Sequence, residues 1–189
     1  DYLFDLDLTS LYPSIIMTIN IGKETYVGRI IDADDRNNRL GYNDLKCMDY
    51  AEEMVVENKK RQQTRVSIGR IVKNIEQHDL LISANGVMYS KDRESVLSTI
   101  LKKWFDERVI YKNKMKDAYK AGNKELGAAM HMKQYTMKIL LNSLYGATAL
   151  GSFRYGNVIL SESITLSGQR IIQESALSAN REMNKEIRA

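Results

Sequence analysis

The chain has 189 residues, 43% hydrophobic and 28% charged, with one proline and eleven glycines: enough apolar material for a core, and too little Pro or Gly for a linker or low-complexity protein. No apolar run approaches the roughly 20 residues that a membrane-spanning helix needs, and no signal peptide opens the sequence, so a soluble cytoplasmic protein with no membrane partner is expected. The formal net charge of +4 is only mildly basic, so the distribution of charge says more than its sum.

Residues 1–8 (DYLFDLDL) alternate apolar and polar and predict a strand ending near Asp7. Tyr12 precedes Pro13, which favours an extended Tyr12 and a helix beginning at the proline, carried on by Ile15, Ile16 and Ile19 as far as Gly22. Asp32, Asp34 and Asp35 look like the start of a calcium loop. Arg36 stands where the third ligand belongs and the sixth-position glycine is missing, so they read as a turn. Residues 45–77 predict a helix with a break near Gly69, and residues 80–90 predict two short buried strands about Asn85-Gly86.

From Ser90 the period changes. Ser90 or Asp92 is expected to cap a long helix with Ile100, Trp104, Tyr111, Met115 and Tyr119 on one stripe. Gly122-Asn123 punctuates it, and a second long helix follows from about Lys124 to Leu144, with Leu126, Met130, Met137 and Leu144 as its apolar stripe. Two such helices joined by a short turn form an antiparallel hairpin, expected to end at Gly146 and Gly151. GSFRYGNVIL reads as a strand, and residues 161–187 as a final amphipathic helix built on Ile164, Ile171, Ile172, Leu177 and Met183.

Between residues 100 and 140, ten Lys and Arg stand against four acids, a local excess of six, and the rest of the chain sums to −2. A polyanion would be drawn to that stretch, although charge alone favours a solvated, lysine-rich helical hairpin. Cys47 is the single cysteine and suits a reducing compartment. With only His78 and His131 besides, no tetrahedral zinc set can be assembled, so any metal must be held by carboxylates, which suits Mg²⁺. Ser10 and Ser14 have no nearby histidine for a hydrolytic triad, and Gly22-Lys23-Glu24-Thr25 is no phosphate loop. His131 is expected in packing or on the surface rather than in catalysis, and Trp104 in the hairpin core.

Two strings go further. Asp7-Leu8-Thr9-Ser10-Leu11-Tyr12-Pro13-Ser14-Ile15-Ile16 resembles the DxxSLYPSII hallmark of family B DNA polymerases. Lys138-Ile139-Leu140-Leu141-Asn142-Ser143-Leu144-Tyr145-Gly146 resembles that family's KxxxNSxYG. Their order and separation match as well, and DLTSLYPSII with Asn20-Ile21 and Glu24-Thr25 is most similar to the T-even-type bacteriophage replicative enzymes. The resemblance implies an α/β fold: an α+β palm portion over 1–90, a long antiparallel helical-hairpin fingers module over 91–147, and a palm return over 148–189.

The resemblance also implies roles. Asp7 would be a catalytic metal ligand, with the Leu8 carbonyl, for Mg²⁺ in a two-metal site. Ser10 and Leu11 would offer backbone N–H groups to the triphosphate, and Tyr12 would lie under the sugar and reject a 2′-hydroxyl. Lys138 would be catalytic as a point charge on phosphate, with Asn142 a neutral donor beside it. Tyr145 would stack near the nascent base pair and Gly146 would allow close approach. Arg108 and Lys112, four apart, match an RxxxK pair that contacts the γ-phosphate end. Gln134, Lys138, Asn142 and Tyr145 recur at helical spacing and share one face. The implied activity is templated DNA synthesis from dNTPs on primer–template DNA, with a sliding clamp as partner.

A third hallmark, YGDTDS, which supplies a second metal-binding aspartate, occurs nowhere in these residues. The chain, opening on Asp1 rather than Met, therefore reads as a cut fragment or processed chain that cannot extend a primer alone. The competing expectations are a non-catalytic nucleic-acid-binding module with polymerase-like fingers, and a polymerase of ribonucleotides, against which Tyr12 argues.

Overall fold

A computed structural model describes residues 10–31 and 40–187, with side chains to Met183. The expected strand at 1–8, Asp7 and Leu8 within it, and the acidic turn at 32–35 lie outside the described residues. Helix α1 (Leu11–Ile19) begins two residues before Pro13 and takes in Tyr12, which was expected to be extended, since proline fits anywhere in the first turn of a helix; Pro13, Ile15 and Ile16 are buried. It leads into strand β1 (Tyr26–Ile30) and a short helix α2 (Tyr42–Lys46).

The expected helix over 45–77 is not formed. Strands β2 (Glu53–Asn58) and β3 (Gln63–Ser67) pair there as an antiparallel hairpin, and helix α3 (Ile68–Gln77) starts only afterwards. Helix-favouring Glu, Lys, Arg and Gln dominate this stretch, but most of them are exposed, Glu57 excepted, and Val56, Glu57 and Asn58 pair with β1 so that β2 becomes the sheet's next strand. Asn58 closes the turn: its Oδ1 accepts from the Lys60 and Gln62 amides at 2.8 and 3.1 Å, and Arg61 takes the left-handed conformation, φ 59°. The expected strand pair at 80–90 is present as β4 (Leu81–Ile82) and β5 (Val87–Tyr89), turning through Ser83–Gly86 with Gly86 at φ 75°. Among the described residues five strands form one antiparallel sheet in the order β3-β2-β1-β5-β4, and the fold is mixed α/β.

Helices α4 (Val96–Lys120) and α5 (Lys124–Thr148) form the long hairpin, turning at Ala121–Asn123. Three expectations shift. The α4 cap is Ser95, whose Oγ accepts from the Ser98 amide at 3.0 Å, rather than Ser90 or Asp92. Helix α5 runs through Gly146 instead of stopping there, since a single glycine lowers helix propensity without breaking the hydrogen-bond ladder. Residues 151–157 are turns instead of a strand, and helix α6 (Val158–Ile187) takes up the VIL run. On α6 only Ile164 of the expected stripe is buried; Ile171, Ile172 and Leu177 are exposed. Leu126 and Tyr119 near the hairpin tip are likewise about half exposed. Trp104 is partly buried at the core edge, and His131 is exposed, stacked on Tyr135.

The sheet separates two cores by simple alternation along β5. Val87 and Tyr89 enter a cluster with Ile15, Ile16, Leu97, Leu101, Leu141 and Ile164, from the helices α1, α4, α5 and α6. Met88, between them, enters the other cluster with Ile30, Met54, Ile71 and Ile75, under α3. No helix among the described residues is long and apolar enough to cross a membrane.

Candidate functional site

The root of the hairpin is joined to α1 by one buried residue. Asn20 ends α1 in the left-handed conformation, φ 57°, which asparagine tolerates better than most residues. Its Nδ2 donates to the carbonyls of Ser90 and Arg93, both at 2.8 Å, and its Oδ1 accepts from the Ser95 amide at 2.8 Å. Ser95 Oγ donates to the Ile21 carbonyl and Ser98 Oγ to that of Ile16. Glu24 Oε1 accepts from the Val96 amide, so the acid that spoils a phosphate-loop reading serves instead at the first turn of α4. Gly22 is required here, because a Cβ would lie 2.6 Å from that of Ser95.

With its root fixed, the hairpin is held over the opposite end of α1. Ser10 precedes α1 in the left-handed conformation, φ 55°, and makes no side-chain cap of its own. Its Oγ accepts instead from Arg108 Nη1 at 3.3 Å, which ties the middle of α4 to the start of α1. Arg108 Nε is buried and has no hydrogen-bond partner among the described residues. By helix geometry the amides of the first turn, Leu11 and Tyr12 among them, have no intrahelical acceptor and carry the positive end of the helix dipole.

One residue further on, the Tyr12 ring stacks on Tyr145 of α5, with centroids 4.4 Å apart and planes 24° from parallel. The Tyr145 hydroxyl shares a 2.8 Å hydrogen bond with Thr165 Oγ1 on α6, and Thr165 Oγ1 lies 3.0 Å from the Ser161 carbonyl. Gly168, one turn further along α6, lies against Tyr12: a Cβ there would sit 3.1 Å from Tyr12 Cε1. Tyr12 is therefore held between a ring and a bare stretch of helix while remaining 36% exposed.

Lys138 and Asn142 lie on the Tyr145 face of α5 by helical spacing, and both are exposed. Lys112 is exposed on α4. Among the described residues ion pairs form at Arg29, Lys46, Lys91, Lys102 and Arg170, and none at Lys112 or Lys138. A Cβ at Gly146 would meet nothing within 4 Å, so the protein's own packing makes no demand for glycine there.

Of the residues singled out from sequence, the structure thus brings Ser10, Leu11, Tyr12, Arg108 and Tyr145 to one place, with Asn142 and Lys138 above Tyr145. Asp7 and Leu8 lie outside the described residues. Thr165 and Gly168 were not foreseen, because their partners are far away in sequence. Among the described residues no group of three or more His, Cys, Asp or Glu side chains could hold a metal.

The fold and this site define a mixed α/β unit in which a cationic helical hairpin overhangs the N-terminus of a short helix. The chain belongs to DNA polymerase family B, whose model matches residues 1–189. It is 29% identical over 173 residues to the DNA polymerase zeta catalytic subunit of Saccharomyces cerevisiae, covering 90% of this chain and 10% of that one. It is 26% identical to the DNA-directed DNA polymerase of Escherichia phage RB69, covering 97% of this chain and 22% of that one. The chain therefore spans between a tenth and about a fifth of the length of these relatives. The family B DNA polymerase of the archaeon Pyrobaculum calidifontis shares the fold, with a TM-score of 0.56 over 93% of this chain and 17% of that one, at 16% identity.

Proposed function

We propose that the chain is the palm-and-fingers part of an enzyme of templated DNA synthesis, in which a primer 3′-hydroxyl attacks the α-phosphate of a dNTP and pyrophosphate leaves. The observation that carries this is the meeting of the two sequence strings: Tyr12 of the first stacks on Tyr145 of the second, while Arg108 reaches Ser10. Such a transfer asks the protein mainly to position the triphosphate and to neutralise developing charge.

The named residues suit that task. First-turn amides of α1 face an anion without the cost of desolvating a charged side chain. Lys112 and Lys138, free of ion-pair partners among the described residues, are available as point charges, and Arg108 offers a planar fork already oriented by Ser10. Asn142 supplies a neutral donor. Tyr12, clamped from both sides, forms a rigid wall under a sugar ring, where a 2′-hydroxyl would collide. The open space at Gly146 leaves room for a base pair to approach α5. Mg²⁺, held by the Asp7 carboxylate and the Leu8 carbonyl, would supply the remaining charge neutralisation. Primer–template DNA and a sliding clamp are the partners in this reading. The second carboxylate of the metal site would have to come from outside these 189 residues.

A photoreactive dATP analogue tests the site without requiring turnover. The purified chain should be labelled in the presence of Mg²⁺, and Lys138→Ala together with Lys112→Ala should reduce labelling by about tenfold or more. Labelling that is absent, or indifferent to both substitutions, overturns the reading. The same chain should extend no primer.

A further inference from the structure

The densest run of net positive charge in the chain does not lie on the hairpin. From Asn58 to Ile75 there are six Lys and Arg residues (Lys59, Lys60, Arg61, Arg65, Arg70 and Lys73) and no carboxylate. Three of them line one groove of about 720 Å³ between β2–β3 and α3, Arg65 from the edge strand β3 and Arg70 and Lys73 from the helix. Arg70, Lys73, Asn74 and Gln77 fall at helical positions i, i+3, i+4 and i+7, so a single exposed edge of α3 faces the groove with two cations and two amides. Among the described residues the groove lining holds no acid and no aromatic ring, and Arg65, Arg70 and Lys73 have no ion-pair partner. Lys59, Lys60 and Arg61 sit on the β2–β3 turn, which Asn58 holds rigid through its bonds to the Lys60 and Gln62 amides.

This concentration is not what folding stability would select. Six like charges within eighteen residues repel one another, and a solvated face ordinarily mixes signs. Met88, on the groove floor, belongs to the α3 core, whereas Val87 and Tyr89 enter the core beneath the Tyr12–Tyr145 stack. The groove therefore opens on the opposite face of the sheet from that stack, and no nucleotide seated there could reach it.

We propose that this groove is a second nucleic-acid contact, gripping the sugar–phosphate backbone of DNA without reading its bases. Cations and amides suit phosphate oxygens, and no ring among the described residues of the lining offers a base a stacking surface. The proposal rests on the reading of the protein as one that handles DNA.

Fluorescence anisotropy with a labelled 20-nucleotide single strand, and separately with the matching duplex, tests it on the whole chain. Arg65→Glu, Arg70→Glu and Lys73→Glu together should weaken binding by about tenfold or more. The slope of log affinity against log salt should shrink by about 2 for the single strand and about 3 for the duplex, the values for three lost phosphate contacts. Labelling by the dATP analogue should be unchanged, which separates failure here from failure of the candidate site. The three Gln variants at the same positions should show a smaller loss in the same direction, and they stand in if the Glu triple fails to fold. Unchanged affinity and slope overturn the proposal, whatever Lys112 and Lys138 variants do. So does competition by polyglutamate as effective as that by DNA of equal charge, which would make the groove a site for an acidic protein.

Discussion

The ring of Tyr12 lies 4.4 Å from that of Tyr145, and the two residues come from strings separated by more than a hundred positions. This stack joins α5 of the hairpin to α1, the helix that holds the end of the first string. Its integrity depends on Gly168 behind it.

Substituting Gly168 by Leu should displace the Tyr12 ring. A Cβ alone would stand 3.1 Å from Tyr12 Cε1, a distance at which the ring must shift slightly, and a full side chain has no room to fit. Overpacking of this kind costs about 1–3 kcal/mol. Urea denaturation should show the loss, and ring NMR shifts of Tyr12 and Tyr145 should move together. Gly168→Ala should be milder, since better helix propensity offsets part of the clash.

Tyr12→Ala should leave dATP labelling detectable while raising labelling by the ribonucleotide analogue to a similar level. A variant that still prefers the deoxynucleotide would place the sugar-sensing wall elsewhere.

Asn20→Ala removes three hydrogen bonds from a residue 8% exposed and leaves two carbonyls and one amide unsatisfied. It also places alanine at φ 57°. Together these should cost about 3 kcal/mol or more in chemical denaturation. Asn20→Gly should recover only the backbone share, so it should fall between alanine and wild type.

Asp44 and Arg170 join α2 to α6 through a two-pronged pair, Nη1 to Oδ2 and Nη2 to Oδ1, the second at 2.9 Å. The Arg170 hydrogen bond holds the Asp44 carboxyl below its ordinary value of 3.8. A depressed folded-state value means that the stabilisation is complete above 3.8 and is lost as pH falls below it. The stability gap between wild type and Asp44→Asn should therefore be full at neutral pH and close in acid below that point. A gap that persists unchanged at pH 2 would show that the pairing contributes through shape rather than charge.

The hairpin was legible because its signals are local: helical spacing over two 25-residue runs and a Gly-Asn turn between them. The β2–β3 pair was not, because its Glu, Lys, Arg and Gln content favours a helix and only pairing with β1 decides otherwise. The same competition misplaced 151–157, where FRYGN looks extended by composition yet Gly156 sits under the Leu150 carbonyl, too close for any side chain, in a chain of turns. At the site, Tyr12, Arg108, Lys138, Asn142 and Tyr145 could be named from their strings. Their partners could not: Ser10 as acceptor for Arg108, and Thr165 and Gly168 behind the rings, are products of tertiary packing. The cation run at 59–73 is plain in the sequence, but the groove that Arg65, Arg70 and Lys73 line depends on the pairing of β2 with β3, which the expected helix over 45–77 does not contain.

The knot of hydrogen bonds around Asn20 and Ser95 makes the hairpin a lever with a stiff pivot. Each arm of 25 residues is about 37 Å long at 1.5 Å per residue, so a tilt of about 10° at the pivot would sweep Gly122 through about 6 Å. Groups nearer the pivot, Tyr145 among them, would travel far less. A small relaxation beside Asn20 thus becomes a large excursion at the far tip, while the tyrosine pair is barely disturbed.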